Sequence, residues 1–296
     1  MAVPDYTQQK IAQLKSTYDL LRPGKDTLLK VLDEAEIAES VYNSNAIENS
    51  TLTLRETEKI LFDEKISRDV ELREVYEAKN LSAVTGYIRQ SFQNEPISRA
   101  LILKLHHMLL THIDDGIAGR FRAEKEYVRV GSYIAPAPHD IDRMIDALLL
   151  TYYVDNSAYF IDAIAHFHLN FENIHPFIDG NGRIGRILIN LQLFQRGYPG
   201  IIIRDKEKYL YYDAFKGYTT SQNTKPMEQV LTRALMESLH KRIAYLKAQE
   251  IMRLADWTKI NSVSLSKILN KAKRQSIPAF RENGVWKIAS DYALEG

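Results

Sequence analysis

Residue types that bind phosphate and move protons are concentrated in one short stretch, IHPFIDGNGRIGRI, which runs from 174 to 187. If its Gly-Asn-Gly begins a helix, the first N–H groups of that helix lack partners and attract an anion. Gly180 and Gly182 let the backbone approach such an anion closely. Arg183 and Arg186 both project from the first turn, and their planar guanidinium groups suit phosphate oxygens. The stretch therefore predicts a polyphosphate site.

Two further residues supply groups needed for chemistry at phosphorus. Asp179 is a hard oxygen ligand beside the predicted phosphates, where a magnesium ion could be held. His175 has a reference pKa of about 6.5 and can act as a neutral base at pH 7. A base, a metal ligand and a phosphate cradle together predict attack by a hydroxyl group on a phosphorus atom. DGNG alone would equally suit a simple turn between helices, but His175, Phe177 and both arginines in register favour the phosphate site.

Apolar helices are predicted on both sides of this stretch, which makes it the loop between them. Apolar residues recur every three or four positions from Ala158 to Ile174, and again from Ile184 to Phe194. The same pattern predicts helices at Leu28–Val41, Thr53–Phe62, Asp69–Phe92 and Ser98–Leu110. Glycine, proline and short alternating runs between 119 and 141 predict a hairpin or an extended loop. The expected fold class is mainly α.

The overall composition excludes several kinds of site. The 296 residues contain no cysteine, which excludes disulfides, a thiolate nucleophile and cysteine-bound zinc. The formal net charge is +1, so the molecule as a whole has no strong attraction for nucleic acid or an anionic membrane. We find no signal-peptide core and no membrane-length apolar run, and we expect a cytoplasmic protein without membrane contact.

The segment HPFIDGNGRIGR matches in full the Fic-family motif HPFx[D/E]GNGRxxR, and the preceding AHFHLNFENI resembles the helix before that motif. The resemblance covers about 28–239 and implies a Fic-type helical domain with a small β-hairpin flap. In that family the motif loop binds ATP with Mg²⁺. The histidine deprotonates a Ser, Thr or Tyr hydroxyl of a target protein, the hydroxyl attacks the α-phosphate, AMP is transferred and pyrophosphate leaves. The resemblance thus implies a protein adenylyltransferase.

The resemblance also implies roles for single residues. His175 would be the general base and Asp179 the magnesium ligand, while Phe177 would anchor the loop in the core. The residues implied to hold the phosphates are Gly180, Asn181, Gly182, Arg183, Gly185 and Arg186. Doc-type relatives, which phosphorylate, lack the second glycine of GNG. Gly182 is present here and favours transfer of AMP.

Two other segments resemble parts of the family's nucleotide site. YVRVGSYIAPAP, residues 127–138, resembles the flap hairpin, which holds the target segment by strand pairing. Its residues implied to line the ATP site are Val130, Gly131, Ser132 and Tyr133. YLYYDAF resembles the segment on the adenine side, so Tyr211 and Tyr212 are candidates, with simple helix packing as an equal alternative.

SNAIEN, from Ser44 to Asn49, fits the family's inhibitory pattern [S/T]xxxE[G/N]. The residues implied to inhibit are Ser44, Glu48 and Asn49. Glu48 would pair with Arg186 and occupy the charge needed for the γ-phosphate. The alternative is that SNAIEN is an ordinary helix end.

We therefore expect an N-terminal helical region at 1–95, a catalytic core at 96–239 and a separate module at 245–296. From Trp257 onward the chain has seven Lys or Arg and three Asp or Glu. This end weakly resembles helix-turn-helix modules of excisionase type, which leaves DNA binding open beside a winged-helix-like packing role that we favour. Removal of AMP by the same site, a non-catalytic nucleotide-binding regulator, self-modification and a homodimer also stay open. The histidines at 106, 107, 166 and 168 are expected to be packing or surface residues.

Overall fold

The computed structural model describes residues 3–62, 64, 69–93, 95–131, 133–154 and 158–294. The N-terminal half of this part contains the helices α1 (Asp5–Leu21), α2 (Asp26–Ile47), α3 (Leu54–Leu61), α4 (Leu72–Ser91) and α5 (Arg99–Leu110). A hairpin of β1 (Arg129–Val130) and β2 (Tyr133–Ile134) follows, and then α6 (Ile141–Val154), α7 (Phe160–Ile174), α8 (Asn181–Gln195), α9 (Lys208–Ser221) and α10 (Lys225–Leu246). The predicted mainly helical fold class is confirmed.

Local capping explains where several helices begin. The Thr53 side chain accepts from the backbone N–H of Glu56 while the Glu56 carboxylate accepts from Thr53, which forms a capping box at the start of α3. Ser98 caps α5 by accepting from the N–H of Leu101. Helix α2 continues past its predicted end at Val41 to Ile47, so Ser44 lies within the helix.

Helix α7 belongs to both large hydrophobic clusters of the protein. Its residues Ile164 and Leu169 pack with α1, α2, α9 and α10. On another face, Phe167 and Phe171 pack with α4, α5, α6 and α8. Because interiors are densely packed, a helix held on both sides has little freedom to shift. The residue that follows its last turn, His175, is therefore held in a defined position.

The C-terminal part forms a small unit with its own core. It contains β3 (Ile251–Arg253), α11 (Leu254–Ile260), α12 (Leu265–Lys273), β4 (Phe280–Glu282) and β5 (Val285–Ala289). The three strands form an antiparallel sheet in the order β3-β5-β4. Trp257 and Ile268 are buried in its core. Helix α10 runs on to Leu246, so the predicted end of the catalytic core at 239 falls inside a helix.

Buried ion pairs attach this unit to the helical body. Arg281 donates to Glu237 of α10 at 2.6 Å and pairs with Glu207 at 2.9 Å. Arg204 binds Glu237 at 3.0 Å and also binds Glu39 of α2. Removing one partner of a buried pair costs about 3–5 kcal/mol because the other charge stays buried. Within the described residues, no helix is long and apolar enough to cross a membrane.

The buried histidines predict how stability depends on pH. Burial lowers the pKa of His106, His175 and His240 to about 4 and of His168 to about 3, from 6.5. Below pH 6.5 the unfolded chain therefore binds protons that the folded chain does not. Glu172 acts in the opposite direction, because burial and the nearby Glu48 raise its pKa to about 8. Since four histidines act against Glu172, we expect the free energy of unfolding to fall from about pH 6.5 to about pH 4.5, as measured by urea unfolding.

A single substitution tests this account. The Nδ1–H of His240 donates to Gln275 Oε1 at 2.8 Å, and a glutamine amide could donate there without binding a proton. We expect His240→Gln to reduce the slope of stability against pH by about one proton. His139→Gln is the matched control, since the His139 side chain is 77% exposed, and it should leave the slope unchanged. Equal slopes in His240→Gln and wild type would contradict the explanation.

Candidate active site

The predicted motif forms the loop between α7 and α8, and two left-handed residues shape it. His175 follows the last turn of α7 with φ 50°, and its N–H donates to the carbonyl of Phe171. Gly180 precedes α8 with φ 84°. A Cβ on Gly180 would lie 3.1 Å from Leu110 and 3.2 Å from Leu109, so both conformation and space require glycine there.

Asn181 closes the loop from inside. Its side chain, 2% exposed, donates to the carbonyl of Phe177 at 2.9 Å and accepts from the N–H of Phe177 at 2.9 Å. Phe177 is fully buried and stacks on His106 with ring centroids 3.6 Å apart. The Asn181 side chain thus holds the loop in shape. Only its backbone N–H, in the first turn of α8, remains for an anion.

His106 fastens the same loop to α5. The N–H of Gly119 donates to its Nδ1 at 3.0 Å, so the proton of the neutral ring is on Nε2, which donates to the carbonyl of Asp179 at 3.0 Å. Burial lowers the pKa of His106 to about 4, which keeps the ring neutral. From the sequence, His106 is expected to be only a packing or surface residue, and its contact with the carbonyl at 179 joins positions 73 residues apart.

The geometry around His175 leaves one ring nitrogen available as a base. Its Nδ1 lies 3.3 Å from the carbonyl of Glu172, which can only accept, so Nδ1 carries the proton and Nε2 keeps its lone pair. Burial lowers the pKa of His175 to about 4, so the ring is neutral at pH 7.

Arg122 is a positioning residue that the sequence analysis did not identify. It is 3% exposed, and its Nε donates to the carbonyl of His175 at 2.9 Å. The other groups of its guanidinium donate to the carbonyls of Glu126 and Pro136, at 2.9 and 2.8 Å. One side chain thus joins the end of α7 to the base of the flap. No local pattern around 122 signals these contacts.

Asp179 lies among charged groups at the mouth of the loop. Burial alone would raise its pKa, but Arg183 and Arg73 outweigh burial, and the pKa of Asp179 is lowered. Its Oδ1 accepts from Arg183 at 2.9 Å and its Oδ2 from Arg73 at 2.5 Å, while Arg183 also pairs with Glu77 at 3.2 Å. Among the described residues there is no cluster of three His, Asp or Glu that could hold a metal ion. A single ionised carboxylate beside phosphates still fits Mg²⁺, which commonly takes one or two carboxylates, substrate oxygens and waters.

Arg186 is buried against α2. Its Nε donates to Ser44 Oγ at 2.9 Å, and its Nη2 donates to the Ser44 carbonyl and to Glu48 Oε1, each at 2.8 Å. Desolvation would lower the pKa of Arg186, but Glu48 outweighs it and the pKa is raised. A Cβ on Gly182 would lie only 2.2 Å from Glu48 Oε1. The Glu48 carboxylate thus covers the glycine that was predicted to receive phosphate.

The end of α2 that carries Glu48 is held by three further contacts. Asn49 is left-handed, with φ 70°, and its N–H donates to the carbonyl of Ala46 at 3.1 Å. The hydroxyl of Tyr212 donates to the carbonyl of Ile47 at 2.8 Å. Lys208 approaches the carbonyl of Ala46 at 3.5 Å. Tyr212, a candidate for the adenine side with helix packing as the equal alternative, thus contacts the predicted inhibitory segment.

Gly185 and Tyr211 lie behind the motif, although both were predicted to contact ATP. A Cβ on Gly185 would lie 2.5 Å from Glu172 Oε1 and 2.7 Å from His168 Cε1, so glycine is needed for packing. Tyr211 is 2% exposed and its hydroxyl lies 2.8 Å from His168 Nε2. The Arg186 guanidinium is 5.8 Å from the Tyr211 ring. Tyr211 therefore supports Arg186 from inside the core.

The predicted flap is a short hairpin beside the motif. Arg129 pairs with Ile134, and Val130 pairs with Tyr133, across an antiparallel ladder. Gly131 occupies the turn with φ 58°, and Ser132 lies outside the described residues. The Tyr133 hydroxyl donates to the carbonyl of Asn173 at 3.1 Å, which attaches the hairpin to the end of α7. Ile134 is 70% exposed.

Residues 96–193 match the model of the Fic/DOC family. The protein adenylyltransferase Fic of Aedes aegypti is 31% identical over 216 residues, which cover 70% of this chain and 42% of that protein. The protein of the same name from Drosophila persimilis is 33% identical over 215 residues, which cover 71% of this chain and 42% of that protein. The chain thus spans less than half the length of these curated relatives.

Solved structures agree in fold. A Fic domain containing signaling protein from Bacteroides thetaiotaomicron is 26% identical, with a TM-score of 0.72, and the match covers 81% of this chain and 97% of that one. A Fic family protein from Desulfovibrio desulfuricans has a TM-score of 0.64 at 18% identity, which shows the fold alone, over 100% of this chain and 99% of that one. Residues 96–193 of this chain therefore form a domain of the Fic/DOC family.

Proposed function

We propose that this chain transfers AMP from ATP to a Ser, Thr or Tyr hydroxyl of a protein, and that Glu48 holds the site in an inhibited state. One observation carries the first part. A neutral, partly buried histidine whose Nε2 lone pair is free follows α7 directly before the loop whose glycines begin α8. The matches to relatives named protein adenylyltransferase support the same reaction.

The reaction follows from the positions of these groups. His175 Nε2 accepts the proton of the target hydroxyl, and the hydroxyl oxygen forms a bond to the α-phosphorus. The bond from the α-phosphorus to the oxygen bridging to the β-phosphate breaks, and pyrophosphate leaves with the bonding pair. The N-terminus of α8 with Gly182 and Arg186 stabilises the negative charge of the phosphates. The protein forms no covalent bond to the substrates in this scheme, and its main contribution is to position the hydroxyl group and the phosphates.

Magnesium would be held by Asp179 together with the phosphates, and it would supply charge neutralisation there. Arg73 occupies the outer oxygen of Asp179 at 2.5 Å in this structure. The Arg73 side chain is 51% exposed and would have to move aside when a metal binds. Exposed ion pairs are weak, so this movement costs little.

The flap is the proposed docking place for the target segment. Its strands are two residues long and Ile134 is exposed beside them. An extended peptide added to this edge would be held by main-chain hydrogen bonds, which tolerate many sequences. Its hydroxyl would then approach His175, since Tyr133 attaches the hairpin to α7 two residues before that histidine.

Inhibition follows from competition for one guanidinium group. Arg186 is 6% exposed and already bound to Ser44 and Glu48, so a γ-phosphate and the Glu48 carboxylate cannot both receive its Nη2 donor. The carboxylate also covers Gly182. ATP that binds beside Glu48 would have its phosphates displaced from in-line geometry. Such misplacement by about 1 Å can cost about a hundredfold in rate.

Two other activities remain alternatives for the same site. Removal of AMP would use Glu48 to position a water molecule, and the Glu48 side chain is 38% exposed and can meet solvent. A non-catalytic nucleotide-binding regulator would not need the base geometry of His175. The intact motif favours the enzyme.

The first prediction tests Glu48. Glu48→Gly should raise incorporation of labelled AMP into the chain itself or into a lysate protein by at least about a hundredfold. Removing the carboxylate frees Arg186 and Gly182 for phosphate. Glu48 follows the last turn of α2, so glycine there does not interrupt the helix.

The matched control is Glu34→Gly, the same change on the exposed side of α2, where the side chain is 60% exposed. It should leave AMP incorporation low. The double variant Glu48→Gly/Arg186→Ala should be inactive, since Arg186 serves the phosphates. Equal incorporation by wild type and Glu48→Gly would mean that SNAIEN is an ordinary helix end.

The second prediction tests the base. In the Glu48→Gly background, His175→Ala and His175→Asn should each lower AMP transfer by about 10²–10⁴-fold while ATP binding is unchanged. Asparagine tolerates the left-handed backbone that position 175 requires, so it separates loss of the base from backbone strain. Transfer retained by the asparagine variant would show that another group takes the proton.

DNA binding by the C-terminal unit is tested without deleting it, because deletion would remove Arg281, one of the two cations that pair with the buried Glu237. Lys267 and Arg274 are exposed on and after α12. If the unit reads DNA, Lys267→Glu/Arg274→Glu should reduce a salt-dependent shift in a gel assay. No shift by the wild type at low salt would leave only the packing role.

A further inference from the structure

A cavity lies away from the motif loop, where α2, the segment 202–210, α10 and the C-terminal unit meet. Its volume is about 620 Å³, and no residue of 175–186 lines it. Sites for small organic ligands commonly have volumes of roughly 300–1,000 Å³. Size and location therefore allow an occupant unrelated to the predicted ATP site.

Every carboxylate that lines this cavity forms an ion pair. Glu39 and Glu237 bind Arg204, and Glu237 and Glu207 bind Arg281. The remaining carboxylate, that of Asp205, lies 3.1 Å from Lys208. Three cations, those of Arg204, Arg281 and Lys208, thus pair with four carboxylates and leave one negative charge over.

Three further cations line the cavity with no ion pair among the described residues: Lys206, Arg233 and Lys273. They come from three different parts of the fold, namely the segment before α9, helix α10 and the end of α12. Their three positive charges exceed the one negative charge left over, and this net positive charge in one concave space attracts an anion.

Aromatic rings also face the cavity. Tyr42 of α2, Tyr209 of α9 and Trp286 of β5 are among the lining residues. The Arg281 guanidinium lies 4.5 Å from the centroid of the Trp286 ring and holds it in place. Rings of this kind offer flat apolar contact area to a planar group.

We propose that this cavity binds a small organic phosphate that carries a planar ring. The phosphate would be received by Arg233, Lys206 and Lys273, and the ring would pack against the aromatic side chains. Arginine and lysine provide the charge-assisted donors that a phosphate dianion needs. The site is separate from the motif loop, and its existence does not depend on the proposed reaction.

Phenyl phosphate is a suitable probe, because it combines a dianion with one ring and is not a product of AMP transfer. The chain has two tryptophans, and Trp257 is buried in the core of the C-terminal unit, so Trp286 reports on the cavity. We expect a saturable change in tryptophan fluorescence when the full chain is titrated with phenyl phosphate. The dissociation constant should be at least about tenfold lower than for inorganic phosphate or phenol, each of which lacks one half of the contacts.

The variants assign the response to the cavity. Trp286→Phe should abolish the fluorescence change. Arg233→Gln/Lys273→Gln should raise the dissociation constant at least about tenfold. Lys267→Gln, on the same helix as Lys273 but outside the cavity, should not alter it. Binding that is unaffected by the double substitution, or a fluorescence response that persists in Trp286→Phe, would overturn the proposal, provided that thermal unfolding shows each variant to be folded.

Discussion

The buried guanidinium of Arg186 is the constraint on which the candidate active site depends. A cation removed from water is tolerated only with an opposite charge and hydrogen-bond acceptors around it. Ser44 and Glu48 supply these from α2, and Tyr211 and Glu172 lie on the other side. In the proposed reaction the phosphates of ATP would take the place of Glu48. Arg186 always needs an anion beside it, and that anion can come from the protein or from the nucleotide. The two anions can therefore compete for Arg186.

The motif loop is rigid because its own polar groups are used to hold it. Asn181 binds both backbone groups of Phe177, His106 binds the carbonyl of Asp179, and Arg122 binds the carbonyl of His175. What remains available is backbone N–H at the start of α8, the Nε2 of His175 and two buried side-chain donors that have no hydrogen-bond partner in the described structure, Arg183 Nε and Arg186 Nη1. A catalytic geometry that is held by supporting residues loses little energy to reorganisation during reaction.

The helices could be predicted because each buries an apolar stripe with a period near 3.6 residues, and α7 and α8 follow that pattern closely. The end of α2 could not be predicted from such a pattern. Its last turn, from Ser44 to Ile47, contains a serine and an asparagine and has no strong helical signal, yet Arg186, Tyr212 and Lys208 bind it from other parts of the chain. Tertiary contacts there outweigh local propensity. Tyr211, for which the sequence left nucleotide contact and helix packing equally open, lies in the core behind Arg186.

The residues from His175 to Arg186 are contiguous, so their types and spacing alone determined that a base, a carboxylate and two arginines would surround the first turn of one helix. The family match rests on the same segment. The resemblance also implied that Glu48 pairs with Arg186, 138 positions away, but the sequence did not identify the other distant groups of the site. Arg122, which binds the carbonyl of His175 across 53 positions, is known only from the tertiary structure. Such contacts depend on how α2 and the segment after α5 pack on α7 and α8, and packing between distant elements leaves no periodic trace in a single sequence.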